Sequence, residues 1–280
     1  MKKIHFFLSI LLVFSFITGF FSGCTTQNTS KIQVATSTSL LKYIVQQVGG
    51  DNIDVLNIVP PNQHPGNFDA SPGDIQKLTS ASLFILHGWP GEGYAGEIIA
   101  AANNPDLKTS KVTVDGNWMI PDVQSAATGK VMTILSEIDT RHSSEYRKSA
   151  ADYQQRIIST ATSLQKKLTE AGVSEIKLIA SARQADFLQW AGFKVVATFS
   201  NAQALTPQTV KDLVDQGKIE GVALVVNNLQ DGRDAGTAVA LELDITSVNL
   251  SNFPGGFENT ETWEKAIGYN VDILLEALNK

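Results

Sequence analysis

The stretch Ser143–Gly172, SSEYRKSAADYQQRIISTATSLQKKLTEAG, holds no Pro and no Gly before its last residue. Tyr146, Ala150, Tyr153, Ile157, Thr160, Leu164 and Leu168 recur at steps of three and four, which lays an apolar stripe along one side of a helix and leaves the other side polar. Ser143 is placed to cap the start, with Glu145 in the first turn and Lys166 and Lys167 in the last, so capping and charge agree at both ends. At 1.5 Å per residue such a helix is roughly 40 Å long, the span of two small lobes. It reads as a strut; a long core helix within one domain has the same pattern, and the flanking sequence must decide.

On both flanks short β-branched runs alternate with helical patterns. Before the strut, strands are expected at Ile32–Ala35, Val55–Val59, Leu83–Leu86 and Lys111–Val114, with helices at Leu40–Val48, Asp74–Thr79, Tyr94–Ala102 and Val123–Ile138. After it, strands are expected at Lys177–Ala180, Lys194–Phe199, Val222–Val226 and Ile245–Leu250, with helices at Gln184–Ala191, Pro207–Asp215, Asp234–Leu241 and Thr262–Leu278. A parallel strand needs a crossover to return, so this rhythm predicts an α/β fold of two lobes. Each lobe is a mainly parallel four-stranded sheet flanked by helices, and one long spanning helix joins them. The expected division is 31–139, 140–172 and 173–280.

Lys2 and Lys3 precede an apolar run, Ile4–Phe21, that ends in FSGC at Cys24. This is the pattern of a secretory leader, 1–23, and FSGC looks like a lipobox, in which the leader is cut before a lipidated Cys24. Residues 24–30 then form a polar tether. Cys24 is the sole cysteine, so neither a disulfide nor a thiolate cluster is available. The chain has 22 Lys and Arg against 28 Asp and Glu, and losing Lys2 and Lys3 moves the net charge from −6 to −8. An acidic body without a basic cluster excludes nucleic acid as a partner.

In open α/β sheets ligands sit at the carboxyl ends of the strands. The loops there carry Thr36-Ser37-Thr38-Ser39, Asn62–Asn67, His87-Gly88-Trp89 and Asp115–Trp118 in the first half. In the second half they carry Ser181-Ala182-Arg183, Ser200-Asn201, Asn227-Asn228 and Ser251–Gly255. Asn and Ser in such places are common turn formers, but eight such loops together suggest a polar cleft. Trp89 and Trp118 fall on these loops, whereas Trp190 and Trp263 lie on apolar helix faces and are expected in the core. His142 reads as a solvated turn residue.

Three segments carry a family resemblance. NFDASPGDIQKLTSASLFILHGW (67–89), SEIDTRHSSEYRKSAADYQQRI (136–157) and AIGYNVDILLEALNK (266–280) resemble the solute-binding lipoproteins of zinc- and manganese-type ABC importers, the TroA-like fold. The resemblance implies cargo held between two lobes bridged by a rigid helix and passed to a membrane permease. It also implies a cation site of three His, or two His and a Glu, plus an Asp, and here this sequence departs from the pattern. The first His position falls on Gly66, two residues from His64, and the second on Asn117. The third falls on Ser181, with Arg183 two residues further, and the Asp falls on Ser251 or Asn252. The family's His-rich loop is missing.

The resulting candidate ligand-binding set is His64, Trp89, Asn117, Trp118, Ser181, Arg183, Ser251 and Asn252, with His64 the one candidate metal ligand. One imidazole among amides and hydroxyls is a poor zinc site. Asp69, Asp115, Asp122 or Asp186 could supply oxygens to a harder ion, and Arg183 with the amides after TSTS could receive an anion.

The expected function is therefore an extracytoplasmic solute-binding lipoprotein of an ABC importer. It would be a monomer on the outer face of the cytoplasmic membrane, partnered by a permease. By the resemblance its cargo is one divalent cation, zinc or manganese; a non-metal, oxyanion or metal-chelate cargo is the alternative. A surface adhesion lipoprotein and an exported enzyme remain as other classes. Against catalysis, no GxSxG or GxxxxGK[ST] motif is present.

Overall fold

The computed structural model describes residues 31–279, so the leader, Cys24 and the tether lie outside the described residues. The first sheet is built from β1 (Ile32–Thr36), β2 (Ile53–Asn57), β3 (Leu83–Leu86) and β4 (Lys108–Lys111). Between and after these strands come α1 (Ser39–Gly49), α2 (Pro72–Thr79), α3 (Tyr94–Ala102) and α4 (Pro121–Ile138). The long helix α5 (Ser143–Glu170) follows. Beyond it lie β5 (Lys177–Ser181), α6 (Ala185–Trp190), β6 (Lys194–Phe199), α7 (Pro207–Glu220), β7 (Leu224–Asn228), α8 (Thr237–Leu243), β8 (Thr246–Leu250) and α9 (Trp263–Leu278).

The strand orders are β2-β1-β3-β4 and β6-β5-β7-β8, so the second lobe repeats the topology of the first. Every pairing is parallel, as the alternation requires. In each sheet the order reverses between its two central strands, β1 and β3 or β5 and β7. A parallel sheet opens its ligand crevice at that point.

The stripe on α5 is buried as its spacing demands. Tyr146, Ala150, Tyr153, Ile157 and Leu168 are buried, and Thr160 and Leu164 are half-buried. The helix packs on α1 and α4 of the first lobe and on α9 of the second. One apolar cluster therefore runs unbroken from Val34 and Leu83, past Tyr153, to Leu178, Leu224 and Trp263. Two smaller clusters fill the outer faces. Phe84, Leu86 and Ile98 centre one, and Ile179, Phe199 and Val225 centre the other, so helices cover both faces of each sheet.

Several boundaries differ from the sequence expectation. Ser143 does not cap α5: a 3₁₀ turn, Thr140–His142, feeds directly into it, and Ser143 is already helical. His142 is not simply solvated, because its Nδ1 pairs with the buried Asp139. The fourth strand is Lys108–Lys111, an exposed KTSK edge pairing Leu83 with Lys108, while Val112 leaves the sheet and is buried in the core. The β7 ladder extends to Asn227 and Asn228, which pair with Asn249 and Leu250. Helix α2 starts earlier, at Pro72, because Ser71 and Asp74 form a reciprocal capping box.

Candidate functional site

The carboxyl ends of the two sheets border one cavity of about 620 Å³. From the first lobe it is lined by His64, Trp89, Asn117 and Trp118, and from the second by Arg183, Asp186, Asn201, Asn228, Gln230 and Asn252. Six of the eight sequence candidates thus share one cavity. Ser181 and Ser251 do not line it: each is 1 % exposed, and their hydroxyls brace backbone. Ser181 Oγ accepts from the Arg183 amide at 3.4 Å, and Ser251 Oγ donates to the Phe253 carbonyl at 2.9 Å.

The cleft floor is a polar network joining both lobes. Asn117 Nδ2 donates to Asn252 Oδ1 at 2.9 Å and to the Arg183 carbonyl at 2.8 Å, while its Oδ1 accepts from the Met119 amide at 2.8 Å. Gln184 Nε2 reaches Asn228 Oδ1 at 2.9 Å and Asn252 Oδ1 at 3.1 Å. Asn228 Nδ2 then donates to Asp231 at 2.9 Å, and Asp231 holds Arg183 Nε at 3.0 Å, which closes a ring of partners. Gln230 crosses to the first lobe through the Pro61 carbonyl at 2.8 Å, and Trp263 Nε1 crosses to the Trp118 carbonyl at 3.0 Å. Sequence reading missed Gln184, Gln230 and Asp231; the polar run NNLQD (227–231), which ends β7 and continues past it, was the available signal for the last two.

Such a network is worth most where both partners are withdrawn from water. Asn117→Ala and Asn252→Ala are each expected to cost about 1 kcal/mol. In the double variant the loss should fall short of the sum by about 0.5–1 kcal/mol, because both single variants break the same bond. Urea midpoints of the four proteins measure this, and strictly additive losses would show that the bridge carries no energy.

His64 caps the 3₁₀ turn Pro65–Asn67, its Nδ1 accepting from the Gly66 amide at 2.9 Å. A neutral ring that accepts at Nδ1 carries its proton on Nε2. Burial, and then the positive charge of Arg183, hold its pKa below the ordinary imidazole value, with Asp231 acting weakly the other way. His64 is therefore a neutral donor at pH 7 and has no free lone pair for a metal.

Behind the cleft wall lies His87, fully buried, its Nε2 2.7 Å from Thr38 Oγ1 and its Nδ1 without a partner. It stacks on Trp89 at 3.6 Å, and the Trp118 ring meets it at 4.2 Å and 73°. Burial pushes its pKa well below the ordinary value. The loop after β3 is tied by Glu92, whose carboxylate accepts the amides of His87, Gly88 and Trp89. The hydroxyls of the TSTS run are not offered to the cleft. Thr36, Ser37 and Thr38 are buried, and Ser39 Oγ is spent on the Pro254 carbonyl at 2.7 Å.

Among the described residues no three His, Cys, Asp or Glu side chains converge as a metal site would require. Where the family pattern calls for ligands, this chain has Asn117 and Asn252 bonded to each other. The donor set does not fit a bare zinc ion.

Comparison with known proteins places the chain. Residues 34–277 match the family described as zinc-uptake complex component A, periplasmic. The metal ABC transporter substrate-binding lipoprotein SsaB of Streptococcus sanguinis is 24 % identical over 318 residues, covering the whole of both chains. A crystal structure of ZnuA superposes with a TM-score of 0.75 at 19 % identity, over 89 % of this chain and 99 % of that one. The binding protein FpvC of P. aeruginosa, in complex with Ni2+, superposes with a TM-score of 0.74 at 16 % identity, over 89 % and 97 %. The paired sheets and the helix between them share that fold, and with the family match spanning both, this protein belongs to the zinc-uptake complex component A family of ABC-transporter solute-binding proteins.

Proposed function

We propose that this chain is the extracytoplasmic receptor of an ABC importer. It is tethered as a monomer to the outer face of the cytoplasmic membrane through a lipidated Cys24. It carries a small solute between the lobes 31–139 and 173–280, held apart by the helix region 140–172, and passes it unaltered to the permease. Relatives are named for manganese, as PsaA of Streptococcus pneumoniae is, or for iron, as MtsA of Streptococcus pyogenes is. Transferred here, a bare cation of that kind meets a guanidinium, an imidazole N–H and amides already bonded to one another. The cargo is accordingly a solute that brings its own polar groups, a metal chelate included. The reading is carried by the cavity of about 620 Å³, bounded by both lobes at their strand ends and of the size that small-molecule sites take. No turnover belongs to this role: Ser181 is buried and its hydroxyl bonds to backbone.

Native mass spectrometry and elemental analysis of the purified full chain test it. No stoichiometric zinc or manganese should be retained, and added zinc should leave the thermal midpoint in place. A site filled at a hundred times its Kd would add about 2.7 kcal/mol. One metal per chain, lost in His64→Ala, would replace this cargo with a bare ion.

A further inference from the structure

We infer that the cleft grips its solute by a carboxylate, clasped between Arg183 of the second lobe and His64 of the first, and that the solute also carries a hydroxyl or amino group. This rests on the receptor reading above and names its ligand chemistry. Arg183 follows β5 at the point where the strand order reverses, the place where a parallel sheet presents its ligand groups. Its Nε is fixed at 3.0 Å by Asp231, whose side chain is only 7 % exposed and is itself held by Asn228. Its backbone is fixed too, through the bond from Asn117 to its carbonyl. The terminal amino groups bond to none of the described residues, and the side chain lines the cavity. An anchored, half-exposed guanidinium of this kind presents a planar fork that matches a carboxylate.

His64 completes the clasp from the other side. Because Gly66 occupies Nδ1, the ring offers the cavity an N–H and not a lone pair. Two donors on facing walls, one of them charged, repel a cation and receive an anionic oxygen. Asp186, in the first turn of α6 and three residues after Arg183, is the one acidic side chain among the cavity's lining residues. It suits a donor on the same solute, which selects hydroxy- or amino-carboxylates over simple fatty acids. A free acid and its metal complex present the same outward carboxylate, so both fit the clasp.

Calorimetric titration of the purified full chain with citrate, malate and aspartate, each with and without equimolar Mn2+, tests this, with Mn2+ alone as the further arm. At least one carboxylate should bind at one per chain, and comparing the two arms tells a free acid from a chelate. Arg183→Gln should weaken that binding tenfold or more, and His64→Phe severalfold. Arg183→Lys keeps the charge beside Asp231 but loses the fork. It should melt with the wild type and still bind at least severalfold more weakly. No binding by any carboxylate arm, or an affinity unchanged in the two Arg183 variants, would overturn the inference and leave the receptor role standing. One-to-one binding of Mn2+ alone that is lost in His64→Phe would overturn the inference and the cargo reading together.

Discussion

Trp263→Ala should lower the unfolding free energy by about 3–5 kcal/mol, the largest effect expected of any single substitution here. Trp263 is fully buried and is the largest such side chain in the described chain. It stands at the start of α9 in the second lobe, and its indole donates to the Trp118 carbonyl of the first. Truncation opens a cavity in the cluster shared by both sheets and strands that carbonyl. Trp263→Phe separates the two effects, since it keeps most of the apolar volume and removes only the donor, for about 1–3 kcal/mol. Urea midpoints at unchanged slope are the measurement. A loss below about 1.5 kcal/mol for the Ala variant would mean that the lobes close over the gap and do not lean on this ring.

Acidification from pH 7 to pH 5 should cost the protein stability, because of a residue that touches no solvent. His87 is buried between Trp89 and Trp118, and burial keeps its ring neutral well below the ordinary imidazole range. In the unfolded chain it takes up a proton near pH 6.5. Below that pH the unfolded state therefore binds a proton that the folded state refuses. The stabilisation is complete above about 6.5 and declines as pH falls, by up to about 1.4 kcal/mol per pH unit for one proton. His64, whose pKa is lowered for the same reason, adds a smaller contribution of the same sign. Asp74 and Asp139, with lowered carboxyl pKa values, lose their contributions only as pH falls below the ordinary carboxylate range, so the two windows separate. In His87→Asn the profile from pH 7 to 5 should flatten by up to one proton, measured by denaturant titration at each pH. An unchanged slope would place the acid sensitivity elsewhere.

The rod was legible because Tyr146, Ala150, Tyr153, Ile157 and Leu168 each fall on one face and nothing interrupts them. The central strands were legible because LFIL is buried at every position. The edge strand KTSK was not, since a strand with solvent on its open side needs no apolar residues and only its register with β3 defines it. Helix α7 outran its expected end because Gly217 lies inside it: Leu243 packs so closely there that an added Cβ would sit 2.7 Å from its side chain. At the cleft, residue type showed where polar groups lie but not what they bond to. Ser181 and Ser251 align with family ligand positions, yet both are buried braces. Gln184 looks like an ordinary helix start, and only its approach to Asn228, distant in sequence, reveals it as part of the floor. Amides can donate and accept equally well, so their partners are decided by tertiary distance and not by spacing along the chain.

Because the apolar cluster passes under α5 from one sheet to the other, swinging the lobes about a pivot would pull packed side chains apart along its length. A transporter meeting this receptor finds nothing resembling a jaw that swings shut. What it can sense is the posture of a few rim segments, around His64, Trp89 and Asn201, that border the cavity. A permease that tells full from empty receptor is then expected to touch the mouth of the cleft itself.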